Sequence, residues 1–227
     1  MHFIPVNAWI GEESTVPNRT RGERARAAVI DAAITSLTTG GYAALTTRAV
    51  QEASKLSRGS MLHQFRTRED LLAATVEELV ARRAARAEEM IATLRADPPG
   101  DRLTAAIVAV RELFSGPDFL AEMELWAAAR TNSVLRETLV PVVERVGSRL
   151  REQLAELFGA ELAAHPDYPK VSMLTVEVAR GLAFSAPIRR GHGDPILLEY
   201  WCAAAAAMLG RPVLGDPHRD HDHRVVV

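Results

Sequence analysis

From about residue 23 to residue 209, apolar side chains recur at three- and four-residue spacings, and no convincing alternating stretch marks a strand. The pattern predicts an all-α protein. Ala25, Ala28, Val29, Ala32, Ala33 and Leu37 keep one helix face apolar until Gly40 and Gly41 stop it. After Leu45, Thr46 or Thr47 can cap a short helix whose Val50 and Ala53 face inward. Ser54, Lys55 and Leu56 form a turn, and Ser57 caps a second short helix reaching about His63. Thr67 followed three residues later by Asp70 is a capping arrangement that opens a long helix over 68–95.

Past Asp97-Pro98-Pro99-Gly100 the pattern predicts five more helices, over 102–114, 117–132, 133–158, 169–186 and 195–209. Pro117, Pro169 and Pro195 fall at first helical turns, where a missing N–H costs nothing. The chain divides into a loosely ordered leader (1–20), a small helical head (21–70), a helical body (71–210) and a disordered tail (211–227).

Charge sharpens that division. The 227 residues carry a formal net charge of −2, which excludes a protein that coats nucleic acid by bulk attraction. Between Arg19 and Asp70, however, nine Lys or Arg face five Asp or Glu, leaving 18 against 24 elsewhere. A basic head sits on an acidic body. Cys202, the single cysteine, cannot form an internal disulfide and reads as a small buried apolar residue. No apolar run approaches the roughly 20 residues that span a bilayer, and the start lacks the pattern of a secretion signal. A cytoplasmic, nucleoid-associated protein with no membrane partner is expected.

The two short helices and their turn suit a helix-turn-helix, in which one helix braces on the phosphate backbone and the next lies in the major groove. Val50, Ala53, Leu56, Met61 and Phe65 form the inward set, leaving Arg58, Gly59, Ser60, His63 and Gln64 outward. Arg58 can chelate guanine O6 and N7, Ser60 can bond several bases, and Gly59 lets the backbone approach closely. Thr47, Arg48 and Arg68 are placed for phosphates, which position the unit without reading sequence. Double-stranded operator DNA is thus the expected partner.

On these residues, positions 24–72 resemble the N-terminal domain of the TetR (tetracycline repressor) family of bacterial transcriptional regulators. Thr47 stands for the motif's threonine, Val50-Gln51 for its Ile-Ala pair, Ser57-Arg58-Gly59 for Ser-x-Gly, Phe65 for its phenylalanine and Leu71-Leu72 for its leucines, without a gap. Four positions depart from the motif. Lys55 replaces the turn glycine, so a residue with a side chain has to adopt positive φ at a cost of about 1 kcal/mol. Leu62 replaces a tyrosine, Gln64 a histidine and Arg68 a lysine.

The resemblance implies a body that dimerises and senses a small molecule, with repression relieved when the ligand shifts the long helix. Leu174, Val178 and Leu182, with Val171, Thr175 and Ser185, share one face of the 169–186 helix; Ile196, Tyr200, Ala204 and Ala207 lie on the last helix. These two helices suit a four-helix homodimer interface, their small residues allowing close approach, although an intramolecular core would use the same pattern. Phe114, Phe119, Met123, Trp126 and Arg130 are candidate effector-binding residues for a small apolar or amphipathic ligand, or else ordinary core. Glu177 and Arg180, three apart, form a surface ion pair or point into the pocket.

Two other classes find less support. His165, Asp167, His192 and Asp194 are acid and base groups without a nucleophile motif or phosphate loop, so no enzyme is expected. His218, His221 and His223 lack the spacing of an ordered metal site, so neither a metal nor a cofactor is expected. A body that dimerises without any effector remains open.

Overall fold

Side-chain caps set most of the helix starts. The computed structural model describes residues 20–188 and 193–211. Its helices are α1 (Arg21–Ala44), α2 (Thr47–Ser54), α3 (Arg58–Gln64), α4 (Arg68–Ala96), α5 (Arg102–Leu113), α6 (Gly116–Ala129), α7 (Ser133–Phe158), α8 (Ala160–Ala163), α9 (Tyr168–Ser185) and α10 (Gly193–Met208), with a 3₁₀ turn over Ala186–Ile188. Among the described residues there is no strand, and the fold is all-α as predicted. Nearly all of the expected leader and tail, with His192 and the three tail histidines, lies outside the described residues.

Thr20 and Glu23 form a reciprocal capping box at α1, and Thr67 and Asp70 form another at α4. Gly41, at φ 68°, kinks α1 one turn before its end. Asp101 and Asn132 cap α5 and α7 through their side chains. The short α8, absent from the predicted pattern, fills one turn between Gly159 and the loop before α9.

Two apolar clusters hold these helices. One joins Val29, Leu37, Val50, Met61 and Phe65 of the head to Leu72 and Leu79 of α4, and continues into Ala121 and Leu125 of α6 and Leu135 and Leu139 of α7. The other gathers the distal half of α4 with α5, the end of α7, α8, α9 and α10 around Phe114, Phe119 and Phe158. Helix α6 is the shared wall, with Ala121 and Leu125 on the head side and Phe119 and Met123 on the body side. Burial on both sides couples any shift of α6 to both cores.

At the far end one side chain closes the body. Arg102 donates from Nε to Leu157 O (2.7 Å), from Nη1 to Leu94 O (2.9 Å) and from Nη2 to Glu156 O (2.8 Å), satisfying carbonyls at the C-terminal ends of both α4 and α7. Gln153 adds a buried bond from α7 to Ala84 O on α4 at 3.0 Å.

Tyr168–Ile188 is long and apolar enough to cross a membrane by length and composition, which corrects the expectation that no segment nears that length. Its inward side, with Val171, Val176, Ala179 and Ala183, packs into the body cluster as a core helix does. Cys202 is half-buried against that cluster, and burial pushes its thiol above the ordinary range, in keeping with a packing residue.

Candidate nucleic-acid interface and helical-body site

The turn between α2 and α3 is built from three local devices. Thr46, extended at φ −108°, accepts the Ala49 N–H at 3.1 Å; it is the cap of α2, and Thr47 is the first helical residue with its side chain exposed. Lys55 sits at φ 58°, ψ 22°, the one non-glycine residue at positive φ among the described residues. Ser57 accepts the Ser60 N–H at 3.2 Å and starts α3.

Val50, Met61 and Phe65 are buried and Leu56 packs against them, as predicted. Ala53 does not: it is exposed, because α2 docks on α1 through Val50 and turns the position three residues on toward solvent. On the open side, Arg58, Gly59 and His63 are exposed, Ser60 and Gln64 are half-buried, and a Cβ on Gly59 would project into open space. Arg48 is exposed and paired with Glu52 at 2.8 Å, an i, i+4 surface pair of small energetic weight.

Arg68 has a second occupation. Its Nη2 donates to Leu45 O at 3.1 Å and its guanidinium carbon lies 4.9 Å from the centre of the Tyr42 ring, so it braces the loop between α1 and α2. Three further exposed side chains share this surface: Lys55 and Leu62, which the sequence marked only as departures from the motif, and Arg66, which it passed over. Leu62, 45% exposed on α3, is an apolar group of the kind that meets a thymine methyl; its place directly after the inward Met61 in a helix of seven residues was the available signal.

In the body, the predicted effector residues separate. Phe114 and Phe119 are fully buried and meet edge-on, with ring centres 5.8 Å apart. Met123 packs beside them and Arg130 is exposed. Trp126 lines an open groove of about 340 Å³ between α6 and α7, with Ala129, Leu139, Val140 and Val143 as apolar walls and Arg130, Arg136 and Glu144 at its rim.

Behind Trp126 lies a group of charges that the spacing of the sequence did not reveal. Arg83 and Glu122, both buried, form an ion pair across α4 and α6. The Arg83 guanidinium carbon is 4.8 Å from the Phe114 ring centre, and that of Arg180 lies 5.0 Å from Phe114 and 4.8 Å from Trp126. Arg180 thus meets both earlier alternatives: it pairs with Glu177 at 2.8 Å while its guanidinium reaches the aromatic cluster.

The predicted interface residues also divide. Leu174, Ile196, Tyr200, Ala204 and Ala207 are exposed, and Val178 is half-buried. Leu182, with Val171 and Thr175, is instead buried, because α9 turns the 171–175–179–182 side inward, where Thr175 Oγ1 accepts the Trp201 Nε1–H at 3.0 Å. The outward stripe of α9 is Met173, Leu174, Phe184 and, past its end, Ile188, which is 83% exposed.

A capped two-helix reading head on a larger helical body defines a helix-turn-helix DNA-binding regulator. Residues 29–75 match the family described as bacterial regulatory proteins, tetR family. The chain is 30% identical over 168 residues to the HTH-type transcriptional regulator CymR of Pseudomonas putida, covering 73% of this chain and 82% of that one. It is 29% identical over 163 residues to the HTH-type transcriptional regulator Rv2912c of Mycobacterium tuberculosis, covering 72% and 83%. Among solved structures, the multidrug binding protein EbrR complexed with imidazole superposes with a TM-score of 0.57 at 25% identity, covering 84% of this chain and 98% of that one. A TetR-family regulator from Rhodococcus sp. gives 0.59 at 20% identity, covering 82% and 99%, a likeness of fold. The chain belongs to the TetR family of transcriptional regulators, a family of DNA-binding regulators and not of enzymes.

Proposed function

We propose that this protein is a homodimeric repressor that binds a palindromic operator and is released by a small apolar or amphipathic ligand in its helical body. The observation that carries the DNA half is the α3 surface. Arg58, Gly59, Ser60 and His63, joined by Leu62, face bases, while Thr47, Arg48 and Arg66 meet phosphates. Gln64 lies at the edge of this surface, and Arg68 can add its charge only while keeping its bond to Leu45. Proteins of this kind act in the cytoplasm, on the nucleoid.

The apolar stripe of α9 and α10 supports the dimer. Leu174, Phe184, Ile196, Leu197 and Tyr200 are all exposed on two helices adjacent in space, and patches of this kind mark interaction sites. A second copy docking there forms a four-helix interface, with Ala204 and Ala207 allowing close approach. Two reading heads then span successive major grooves, about 34 Å apart.

EbrR is described as a multidrug binding protein and is seen with imidazole and with ethidium. By analogy, the groove at Trp126 and the aromatic cluster behind it form the effector site here. Phe114 and Phe119 shape its wall from within, while Met123, Trp126 and Arg130 are positioned for contact. Release requires the ligand to favour the DNA-incompetent state; a coupling of about 1–3 kcal/mol weakens DNA binding about 5- to 150-fold. Selection of bound fragments from the source genome tests the proposal. Inverted-repeat sites bound by a dimer are expected; the absence of any enriched sequence sinks it.

A further inference from the structure

Among the described residues, three buried donors in the body find no acceptor: Nε of Arg86, Nε1 of Trp126 and Nε of Arg180. A buried donor left in this state costs free energy of the same order as a lost hydrogen bond. All three belong to side chains that can only donate. They also border one cluster. Arg180 lies on the Trp126 and Phe114 rings, Arg83 on Phe114, and Arg86, nearly one turn beyond Arg83 on α4, donates from Nη2 to Leu113 O at 3.4 Å. The guanidinium carbons of Arg83 and Arg180 are therefore no more than about 10 Å apart.

The charge balance has a definite sign. Three arginines meet two carboxylates, Glu122 on Arg83 and the largely exposed Glu177 on Arg180. Trp126 is shared with the groove between α6 and α7, whose walls are apolar and whose rim carries two arginines against Glu144. Trp126 thus borders apolar groove surface on one side and, through Arg180, a region of positive charge and open donors on the other.

We propose that Trp126, Arg180 and Arg86 form the anion-receiving end of the effector site, which takes an organic acid whose apolar body lies in the α6–α7 groove. This rests on the ligand-released repressor reading given above and names the ligand class for it. The donors are closed off from solvent, so the acid has to part Arg180 on α9 from Trp126 on α6 to reach them. Binding therefore favours a conformation with α6 displaced, which supplies the differential affinity that release needs.

One aromatic body carried with three charges tests this on the full-length protein: naphthoate, naphthol and naphthylmethylammonium, titrated by calorimetry. Naphthoate is expected to bind at least about tenfold tighter than naphthol, and the cation more weakly than either. Trp126→Phe keeps a ring and removes the donor. It is expected to weaken naphthoate about tenfold more than naphthol, and to leave the ligand-free unfolding temperature equal or higher; a merely structural role predicts no such split. Arg180→Lys keeps the charge without the Nε donor and should lose naphthoate affinity in the same way. Naphthol or the cation binding as tightly as naphthoate overturns the organic-acid assignment, and so does the failure of all three to bind. Operator binding by the ligand-free protein, followed separately by fluorescence anisotropy, shows whether the repressor reading itself stands.

Discussion

Glu124 on α6 accepts the backbone N–H of Tyr42 at 3.1 Å, across 82 positions of sequence, where α1 kinks at Gly41. The relationship ties the reading head to the shared wall of the two cores. A Cβ on Gly41 would stand 2.7 Å from the Glu124 carboxylate on a backbone at φ 68°. Gly41→Ala is expected to lower stability by about 1–2 kcal/mol, read as a fall in unfolding temperature of several degrees. Glu124→Ala removes the tie without that strain, and should leave operator affinity within a few-fold while weakening effector-driven release. An unaltered release curve would remove Glu124 from the coupling.

Adjacent threonines at the start of α2 should behave differently. Thr46→Ala loses the cap and costs about 1 kcal/mol of stability. Thr47→Ala, which changes only an exposed side chain, leaves the unfolding curve in place and weakens DNA binding. Equal effects of the two substitutions on stability would show the cap to be misassigned.

Lys55 holds a left-handed conformation that glycine adopts without a Cβ penalty. Lys55→Gly is expected to stabilise the protein by up to about 1 kcal/mol, or about 2–4 °C for a chain of this size. The gain is opposed where the lost charge matters, so a small fall in operator affinity should accompany it. A lower unfolding temperature would contradict the strain argument.

Operator variants can separate reading from positioning. Arg58→Ala should cost about 1–3 kcal/mol at one base pair and relax preference there. Arg48→Ala should weaken all sequences alike and reduce the slope of log K against log salt by about 0.9. Unchanged selectivity in the Arg58 variant would refute a base contact.

The proposed dimer face is open to a direct assay. Tyr200→Glu and Leu197→Glu place charge on the exposed stripe of α10 without entering the core, and should shift the protein to monomer in sedimentation velocity. Leu182→Ala instead removes a buried side chain from its own chain, with an expected cost of about 2–5 kcal/mol and no selective effect on assembly. Sedimentation as dimer in both charged variants would relocate the interface.

Much of this architecture was legible from local chemistry. Ser57, Thr67 with Asp70, and the prolines near the starts of α6 and α9 mark helix starts because a cap or a missing N–H acts within one turn. The strain at Lys55 was legible for the same reason. What escaped depends on how helices lie against one another. Ala53 and Leu182 keep helical spacing with their neighbours, yet α2 and α9 are rotated so that one faces out and the other in. The Arg83–Glu122 pair joins residues 39 positions apart, and no periodicity announces it. Arg68 is placed for a phosphate by its spacing, but its bond to Leu45, 23 positions away, is not announced by the sequence.

The Arg102 clasp gives the body a fulcrum. With Leu94 O in the last turn of α4 and Glu156 O and Leu157 O in the last turn of α7 held on one guanidinium, those ends are tied together. Any tilt of α4 about that point is largest at its opposite end, 29 residues and about 43 Å away, where Thr67 lies three residues past the end of α3. By that length a tilt of only about 3° swings the head by about 2 Å. In the dimeric, ligand-released reading proposed above, such a lever would let a modest rearrangement beside Trp126 spoil the register of two heads on one stretch of DNA.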